Sequence, residues 1–281
     1  DLTANTITWV RFLVAALFVS VVLYKKQKLP ALRGHSRKTT ILLWIAIAGL
    51  LSNYILYLMG LHLLTAETAQ VVIQLAPFLM MLGGVWLFKE KLLLWQKLGA
   101  ALLVLGLLLF FNERFVSLIQ HASSDGIGVL LVIVAAVTWA AYALAQKQLL
   151  VVFNSQQIMW FIYLCGAICF LPLIDLQPLP QLTSLQWGML AFCCLNTIIA
   201  YGAFAEALEH WEASKVSAVL AITPLLTILF SHLAHWVWPE FPTPQQLNGW
   251  SIAGAMLVVA GSAITALSPL LKQQLSNVRQ R

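Results

Sequence analysis

The chain has 281 residues, of which 61% are hydrophobic and only 9% are charged, whereas a soluble domain usually carries about 25% charged residues. The charges form short clusters between long apolar runs, a pattern typical of a membrane protein. The net charge of +6 does not indicate nucleic-acid binding, because most basic residues fall between these runs. All four cysteines lie inside apolar runs, which indicates packing residues and neither a disulfide framework nor a zinc site.

Nine apolar runs are long enough to cross a bilayer, which takes roughly 17–25 residues per helix. Helix is the expected state, because a hydrophobic strand by itself leaves backbone groups unpaired in lipid. No signal peptide is expected, since no basic region precedes the first run. The predicted transmembrane helices are Ile7–Tyr24, Ile41–Leu61, Ala66–Phe88, Leu92–Phe111, Ile127–Ala145, Ile158–Ile174, Leu185–Ala207, Val216–Trp238 and Trp250–Leu267.

The basic residues give these helices an orientation. If the loop Lys25–Thr40 is cytoplasmic, alternation of the loops places fourteen of the sixteen Lys and Arg residues on that side. The exceptions are Arg11 and Arg114. Because Lys and Arg are enriched in cytoplasmic loops, the distribution supports nine spans and predicts a cytoplasmic C-terminus.

The chain also contains an internal repeat. The segment LGAALLVLG at Leu98–Gly106 matches AGAMLVVAG at Ala253–Gly261. Each has two glycines on one helix face, where small residues let helices approach closely. These glycines are Gly99, Gly106, Gly254 and Gly261. Further matches at a separation of 147 residues link Tyr54, Leu61, Ala66 and Pro77 to Tyr201, Leu208, Ala213 and Pro224. Matches at a separation of 151 residues link Ile7, Trp9 and Leu13 to Ile158, Trp160 and Leu164.

The second repeat has a helix, Ile127–Ala145, ahead of Trp160, whereas the first has none ahead of Trp9. We therefore expect ten helices in the full unit, as two five-helix repeats with the first helix missing. Repeats with an odd number of helices are inverted relative to one another, as in many transporters. The predicted domains are a first repeat at residues 1–112, a second at 126–268 and a basic cytoplasmic tail at 269–281. The alternative is a true nine-helix protein with its N-terminus outside.

Several segments carry a family resemblance. Two helices with a central proline, LTAETAQVVIQLAP and WEASKVSAVLAITP, are each followed by a Gly-x6-Gly helix. Together with the Glu90 turn in LFKEKLLLWQKLGAALLVLG, they resemble EamA-type proteins of the drug/metabolite transporter superfamily over nearly the whole chain. The resemblance implies a ten-helix protein of the bacterial inner membrane that exports amino acids or other metabolites.

One face of the third predicted helix is polar and includes Glu67, Gln70 and Gln74. Polar side chains in hydrocarbon usually face the protein interior. Gln70 and Gln74 therefore either line a solute path or form packing hydrogen bonds between helices. Glu67 follows Thr65 and either stabilises the helix N-terminus or takes up protons that couple export to the proton gradient.

Two prolines are expected to interrupt helices. Pro77 and Pro224 each free a backbone carbonyl one turn earlier, at Ile73 and Leu220. Broken helices near the membrane midplane are where transporters bind solutes. The alternative is a packing kink without a binding role.

Aromatic side chains recur at positions expected in the interior. They form either an apolar pocket with polar tips for an amphipathic solute or interfacial anchors near helix ends. The second interpretation applies most to Trp9 and Trp160. The set comprises Trp9, Tyr54, Tyr57, Trp139, Tyr142, Trp160, Tyr163 and Tyr201.

Charged residues inside the spans are few. Arg11 either extends outward along its helix, attracts a carboxylate, or pairs with Glu67. Glu206 lies with Glu209 and Glu212 at a helix end and is either solvated or buried. His232 and His235 lack a third ligand, so no metal site is expected, and no cofactor or ATP-binding motif is recognised.

These patterns predict a secondary transporter that exports a small metabolite by alternating access, through rocking of the two halves, with Gln70, Gln74, Tyr54 and Tyr201 lining the site. Protons are a candidate coupling ion. The alternatives are a membrane-embedded enzyme, which needs convergent catalytic groups, and a membrane scaffold, which needs a dry apolar centre. The identity of the solute and the oligomeric state do not follow from the sequence.

Overall fold

The computed structural model describes residues 2–30, 34–90, 93–110, 124–220, 223–238 and 248–279. These residues form α-helices, two short 3₁₀-helices and turns, and no strand occurs in these ranges. The all-helical architecture expected from the sequence is therefore confirmed for them. The helices are α1 Ala4–Lys25, α2 Arg37–Leu61, α3 Ala66–Val72, α4 Leu75–Phe88, α5 Leu94–Phe110, α6 Ser124–Leu149, α7 Ser155–Phe170, α8 Ser184–His210, α9 Ala213–Leu220, α10 Thr223–Val237 and α11 Gly249–Arg279.

Several of these helices can cross a membrane. Six segments in the described ranges are long and apolar enough to span: Ala4–Lys25, Arg37–Leu61, Thr68–Phe88, Gly126–Leu149, Ser155–Leu173 and Ser184–His210. Two further helices there are apolar but shorter, Leu94–Phe110 and Gly249–Thr265. The protein is thus a multi-pass helical membrane protein, and the count of nine spans stays a prediction.

Capping residues explain why two helices begin earlier than the apolar runs. Asn154 and Gln157 form a capping box that starts α7, and Thr183 and Gln186 do the same for α8. In each box, a side chain accepts from a backbone N–H that the helix leaves unpaired. Hydropathy alone does not predict that these polar first turns belong to the helices.

The predicted helix Ala66–Phe88 is interrupted. Because Pro77 has no N–H, it cannot bond to the carbonyl of Ile73, and α3 ends at Val72. The Ile73 carbonyl accepts instead from the Ala76 N–H at 2.8 Å. A solute is therefore not needed to satisfy it.

The second proline segment is arranged in a similar way. The hydroxyl of Thr223 donates to the carbonyl of Leu220 at 2.5 Å. Thr223 lies 147 residues after Ala76, and Leu220 lies 147 residues after Ile73. Both carbonyls that we expected to be free thus have partners within their own segments.

The chain divides into two compact units, each of which takes segments from both halves of the sequence. Unit 1 comprises Asp1–Ile55 and Ala141–Trp211. At its centre the fully buried Phe12 packs against the ring of Tyr54, with ring centroids 4.9 Å apart. Gly166 permits this packing, because a Cβ there would lie 2.7 Å from the Phe12 ring.

Helices α1 and α7 run antiparallel in unit 1. The indole N–H of Trp9, near the start of α1, donates to the Ala167 carbonyl near the end of α7 at 2.9 Å. The indole N–H of Trp160, near the start of α7, donates to the Ser20 hydroxyl at 2.7 Å. Ser20 in turn donates to the Ala16 carbonyl at 2.6 Å. Both tryptophans, considered above as interfacial anchors, are therefore bonded between the two helices.

Unit 2 comprises Leu56–Ala140 and Glu212–Arg281, and its main helix pair is α5 with α11. The two backbones touch at glycines. A Cβ on Gly106 would lie 2.6 Å from the Gly254 carbonyl oxygen, and a Cβ on Gly99 would collide with the Gly261 carbonyl oxygen. The pairing of the first glycine of α5 with the last of α11 makes the helices antiparallel. Small residues at this crossing permit the approach.

Candidate functional site

A group of polar contacts inside a span of unit 1 surrounds Arg11. Its Nε–H donates to the hydroxyl of Thr197 at 2.7 Å, and its Nη2 donates to the hydroxyl of Tyr54 at 3.3 Å. The guanidinium carbon lies 5.2 Å from the centre of the Tyr54 ring, within the range of a cation–π interaction. Arg11 is thus held by residues of α2 and α8 and does not extend outward along α1.

Thr197 fixes the position of the guanidinium. Its side chain is fully buried, and its only hydroxyl hydrogen goes to the Cys193 carbonyl at 2.9 Å. The oxygen therefore remains an acceptor for Arg11. The Tyr163 hydroxyl donates to the Thr197 carbonyl at 3.0 Å, so the same residue is held from two sides.

Several tyrosine side chains pack in the same region of unit 1 as Arg11. The rings of Tyr54 and Tyr201 lie 5.7 Å apart, and Tyr163 packs 6.0 Å from Phe12. Tyr142 is fully buried in α6, and its hydroxyl donates to the sulfur of Met159 at 3.5 Å. Four of the tyrosines singled out in the sequence therefore lie in unit 1.

A cavity of about 360 Å³ opens in unit 1 between α1, α7 and α8. One part of it reaches Tyr163 and Ile198, the residue after Thr197, and its far part is lined by Ser155, Gln156 and Glu206. Ile198 and Glu206 are eight residues apart on α8, about 12 Å at 1.5 Å per residue. The remaining wall is largely apolar. Such a mixture of apolar walls with a few polar groups is typical of sites for small molecules.

Glu206 is organised by its neighbours. The Ser155 hydroxyl donates to its carboxylate at 2.8 Å, and the Ser155 N–H donates to the Glu209 carboxylate at 2.9 Å. The His210 ring lies 3.8 Å from Glu206. Glu206 is exposed, as expected for a solvated carboxylate at a helix end, and it also lines the cavity.

The polar face of α3 belongs to unit 2. Gln70 donates to the Tyr57 hydroxyl at 3.2 Å. Gln74 is 2% exposed at the break between α3 and α4, and its Oε1 has no hydrogen-bond partner among the described residues. Buried oxygens in folded proteins usually have a hydrogen-bond partner, which a water molecule or a ligand can supply.

The other predicted site residues are distributed as follows. Trp139 is half-buried on α6, Pro77 is buried on α4, and both lie in unit 2. The side chains of Glu67 and Pro224 lie outside the described residues, so the proposed pairing of Arg11 with Glu67 stays a prediction.

Two residues of interest were not singled out from the sequence. Thr197 has no sequence pattern that distinguishes it from other threonines in apolar helices. Gln146 lies in α6, is fully buried, and neither of its side-chain amide atoms has a partner among the described residues. Its spacing of four residues from Tyr142, which places both on one helix face, was the available signal.

Glu90 links the end of α4 to the start of α9 within unit 2. Its carboxylate accepts the backbone N–H groups of Ala213 at 3.1 Å and Ser214 at 3.2 Å, at the start of α9. Lys89 adopts a left-handed conformation (φ 55°) that ends α4 and directs the chain there. A Cβ on Gly84 would lie 2.8 Å from the carboxylate, so the absence of a side chain at Gly84 makes room for this cap.

Comparison with known proteins gives a consistent result. The family model of the EamA-like transporter family matches residues 1–112 and 126–267. A transporter of Haemophilus influenzae is 44% identical over 270 residues, which cover 95% of this chain and 86% of that protein. The Escherichia coli K12 inner membrane transporter YhbE is 39% identical over 263 residues, covering 93% and 82% of the two chains.

Two more distant similarities extend the comparison. A Salmonella typhimurium protein named a probable amino-acid metabolite efflux pump is 24% identical over 210 residues, covering 70% of this chain and 66% of that protein. One protein of known crystal structure shares the fold with a TM-score of 0.69 at 17% identity, covering 94% of this chain and 89% of the other. The family model covers nearly the whole chain, the identities to transporters are high, and the helices can span a membrane. The chain therefore belongs to the EamA-like transporter family.

Proposed function

We propose that this protein is a secondary transporter that exports a small metabolite across the cytoplasmic membrane, with the solute bound in the cavity of unit 1. The observation that carries the proposal is the cavity itself, about 360 Å³ with apolar walls and polar groups at one end. Sites for small molecules are typically about 300–1,000 Å³. A membrane scaffold has no need for such a space among its helices, and transporter names among the relatives favour transport over catalysis.

The antiparallel helix pairs support an inverted repeat with domains at residues 1–112 and 126–268. Helices α1 and α7 correspond in the repeat at a separation of 151 residues, and α5 and α11 at 155. Each corresponding pair is antiparallel within its own unit. A repeat inserted in opposite orientations produces this relation, which transporters use for alternating access.

The same pairs restrict how alternating access can occur. Rocking of the two sequence halves would separate α1 from α7 and α5 from α11, although these helices are joined by hydrogen bonds and glycine contacts. We therefore propose that the moving bodies are composed of segments from both repeats, in place of the sequence halves. Packed helices of this kind move as rigid elements.

The proposal also covers the direction of transport and its energy source. Export is suggested by the name of the Salmonella typhimurium relative and inner membrane location by that of YhbE. Glu206 borders the cavity and Glu67 lies in the first turn of α3, which makes these carboxylates the candidates for proton coupling. A cytoplasmic C-terminus follows from the distribution of basic loops.

Two glycines of α8 provide a matched test. A Cβ on Gly202, which lines the cavity, or on Gly188, which does not, would meet no atom within 4 Å. In proteoliposomes loaded with a mixture of bacterial metabolites, Gly202→Phe should lower efflux by about 10-fold or more, as a misfitting group does in a pocket. Gly188→Phe should leave efflux at the wild-type level. Efflux from wild-type proteoliposomes no faster than from empty liposomes, for every metabolite, would reject the proposal.

A further inference from the structure

We infer that a groove between α1 and α7 is a binding site for an anionic phospholipid whose phosphate carries the only charge of its headgroup. The groove shares no lining residue with the cavity assigned to the solute, and the inference does not depend on the proposed function. It follows from the position of the groove on its membrane span, from its apolar surface and from the charge at its end. The groove is lined by Ser20, Val21, Tyr24, Lys25, Leu29 and Trp160.

The groove lies at one end of a membrane span. Helix α1, Ala4–Lys25, is long and apolar enough to cross a membrane, and Lys25 is its last residue. Ser20 and Lys25 are five residues apart, about 8 Å along the helix at 1.5 Å per residue. Tyr24 and Trp160 are of the residue types that are enriched at the level of lipid headgroups. The groove therefore extends from the headgroup level into the hydrocarbon.

The inner end of the groove has an apolar surface, because its polar atoms are bonded to the protein. The indole N–H of Trp160 donates to the Ser20 hydroxyl at 2.7 Å, and that hydroxyl donates to the Ala16 carbonyl at 2.6 Å. The indole ring and the exposed side chain of Val21 remain as the surface. The volume of the groove is about 490 Å³, within the range of about 300–1,000 Å³ that holds small molecules. An acyl chain matches this surface, since contact between apolar groups is favourable.

Lys25 supplies an unbalanced positive charge at the outer end of the groove. No ion pair or hydrogen bond from its ammonium occurs among the residues that the structure describes. The neighbouring Lys26, in contrast, donates to the side-chain oxygen of Gln156 at 3.2 Å. The sequences of both helices that form the groove, α1 and α7, contain no Asp or Glu. The ammonium of Lys25 complements a lipid phosphate, and basic residues beside a span attract anionic lipids.

The charge around the groove favours one class of phospholipid. The segment at residues 25–40, which begins in the groove, contains six Lys and Arg residues and no acid. A phosphatidylethanolamine headgroup adds its own ammonium, which these cations repel and for which α1 and α7 offer no carboxylate. A phosphatidylglycerol headgroup carries the phosphate charge alone. We therefore expect phosphatidylglycerol to bind more tightly than phosphatidylethanolamine.

Native mass spectrometry of the purified full chain tests the lipid class. The protein in detergent is titrated with phosphatidylglycerol or with phosphatidylethanolamine of the same acyl chains, and the bound fraction gives each affinity. We expect phosphatidylglycerol to bind about 5-fold more tightly or better, because one basic residue near a membrane surface contributes about 1 kcal/mol. Phosphatidylglycerol should also raise the melting temperature. Excess inorganic phosphate should not, because it lacks the acyl chain.

Two matched pairs of variants assign binding to the groove. Lys25→Gln should lower the affinity for phosphatidylglycerol by about 5-fold. Lys38→Gln makes the same change at an exposed position outside the groove and should bind as wild type. Val21→Trp should lower the affinity by about 10-fold, because the indole would occupy the space of the acyl chain. Leu17→Trp places the same ring one turn earlier, at an exposed position outside the groove, and should leave the affinity unchanged.

Several results would overturn the inference. Equal affinities for the two lipids, or equal losses in Lys25→Gln and Lys38→Gln, would indicate a general attraction to the basic segment and no site. An equal rise of the melting temperature with inorganic phosphate would exclude a role for the acyl chain. Dimers that Val21→Trp dissociates and Leu17→Trp does not would place a second copy of the chain in the groove. If Val21→Trp melts early without lipid, the two lysine variants decide the question, since both positions are exposed.

Discussion

The carboxylate of Glu90 provides a quantitative test of how α4 is joined to α9 in unit 2. Replacing Glu90 by Ala removes the acceptors for the N–H groups of Ala213 and Ser214. Loss of an ordinary helix cap destabilises a protein by about 0.5–2 kcal/mol, and hydrogen bonds to charged groups contribute about 1.5–3 kcal/mol each. Because Glu90 is half-buried and partly screened, we expect a total loss of about 2–4 kcal/mol.

This loss is large enough to measure in detergent. A loss of 1 kcal/mol lowers the melting temperature by about 2–4 °C in proteins of 150–250 residues and by about 2–3 °C in a chain of this length, so Glu90→Ala should lower it by about 4–12 °C. Intrinsic tryptophan fluorescence during heating is a suitable assay. The matched control is Glu212→Gln, whose partner Lys215 lies 3.0 Å away on an exposed surface and whose loss should have an effect of about 0.5 kcal/mol or less. A melting temperature of Glu90→Ala within 2 °C of wild type (about 1 kcal/mol or less) would refute the capping role.

Two further substitutions test other buried features. Gly106→Ala should lower the free energy of unfolding by about 1–3 kcal/mol, because its Cβ would lie 2.6 Å from both the Gly254 carbonyl oxygen and the Val258 nitrogen. The control Gly249→Ala should have little effect, because a Cβ there meets no atom within 4 Å. Equal melting temperatures of the two variants would contradict the glycine contact. Gln146→Leu should leave the free energy of unfolding unchanged or raise it, since it removes two buried polar atoms without partners among the described residues. A destabilisation of about 2 kcal/mol or more would indicate that the amide has a structural partner.

Local signals predicted much of the fold. Hydropathy located the helices, and Pro77 correctly indicated an interruption, which the structure places between α3 and α4. The sequence did not indicate that the Ile73 carbonyl would be satisfied by Ala76. Proline removes a donor at a known place, but which group replaces it depends on how the chain turns.

The candidate site was predictable only in part. Tyr54 and Tyr201 stand out in sequence because polar aromatic residues in apolar helices usually have an interior role. Arg11 was recognised as unusual, although its direction was left open between the membrane surface and the interior. Thr197 has no distinctive sequence context, and only its contact with Arg11 gives it significance.

The sequence by itself determined the membrane environment, the helical state and the family, because these follow from apolar length, the spacing of charges and local motifs that need no knowledge of the rest of the chain. Only the tertiary structure decided which helix faces meet: that α1 packs on α7 and α5 on α11, and that Arg11 is held by residues of α2 and α8. In lipid, most faces of a helix are apolar, so hydropathy does not distinguish a packed face from one exposed to lipid. Contacts between residues far apart in the chain make that distinction.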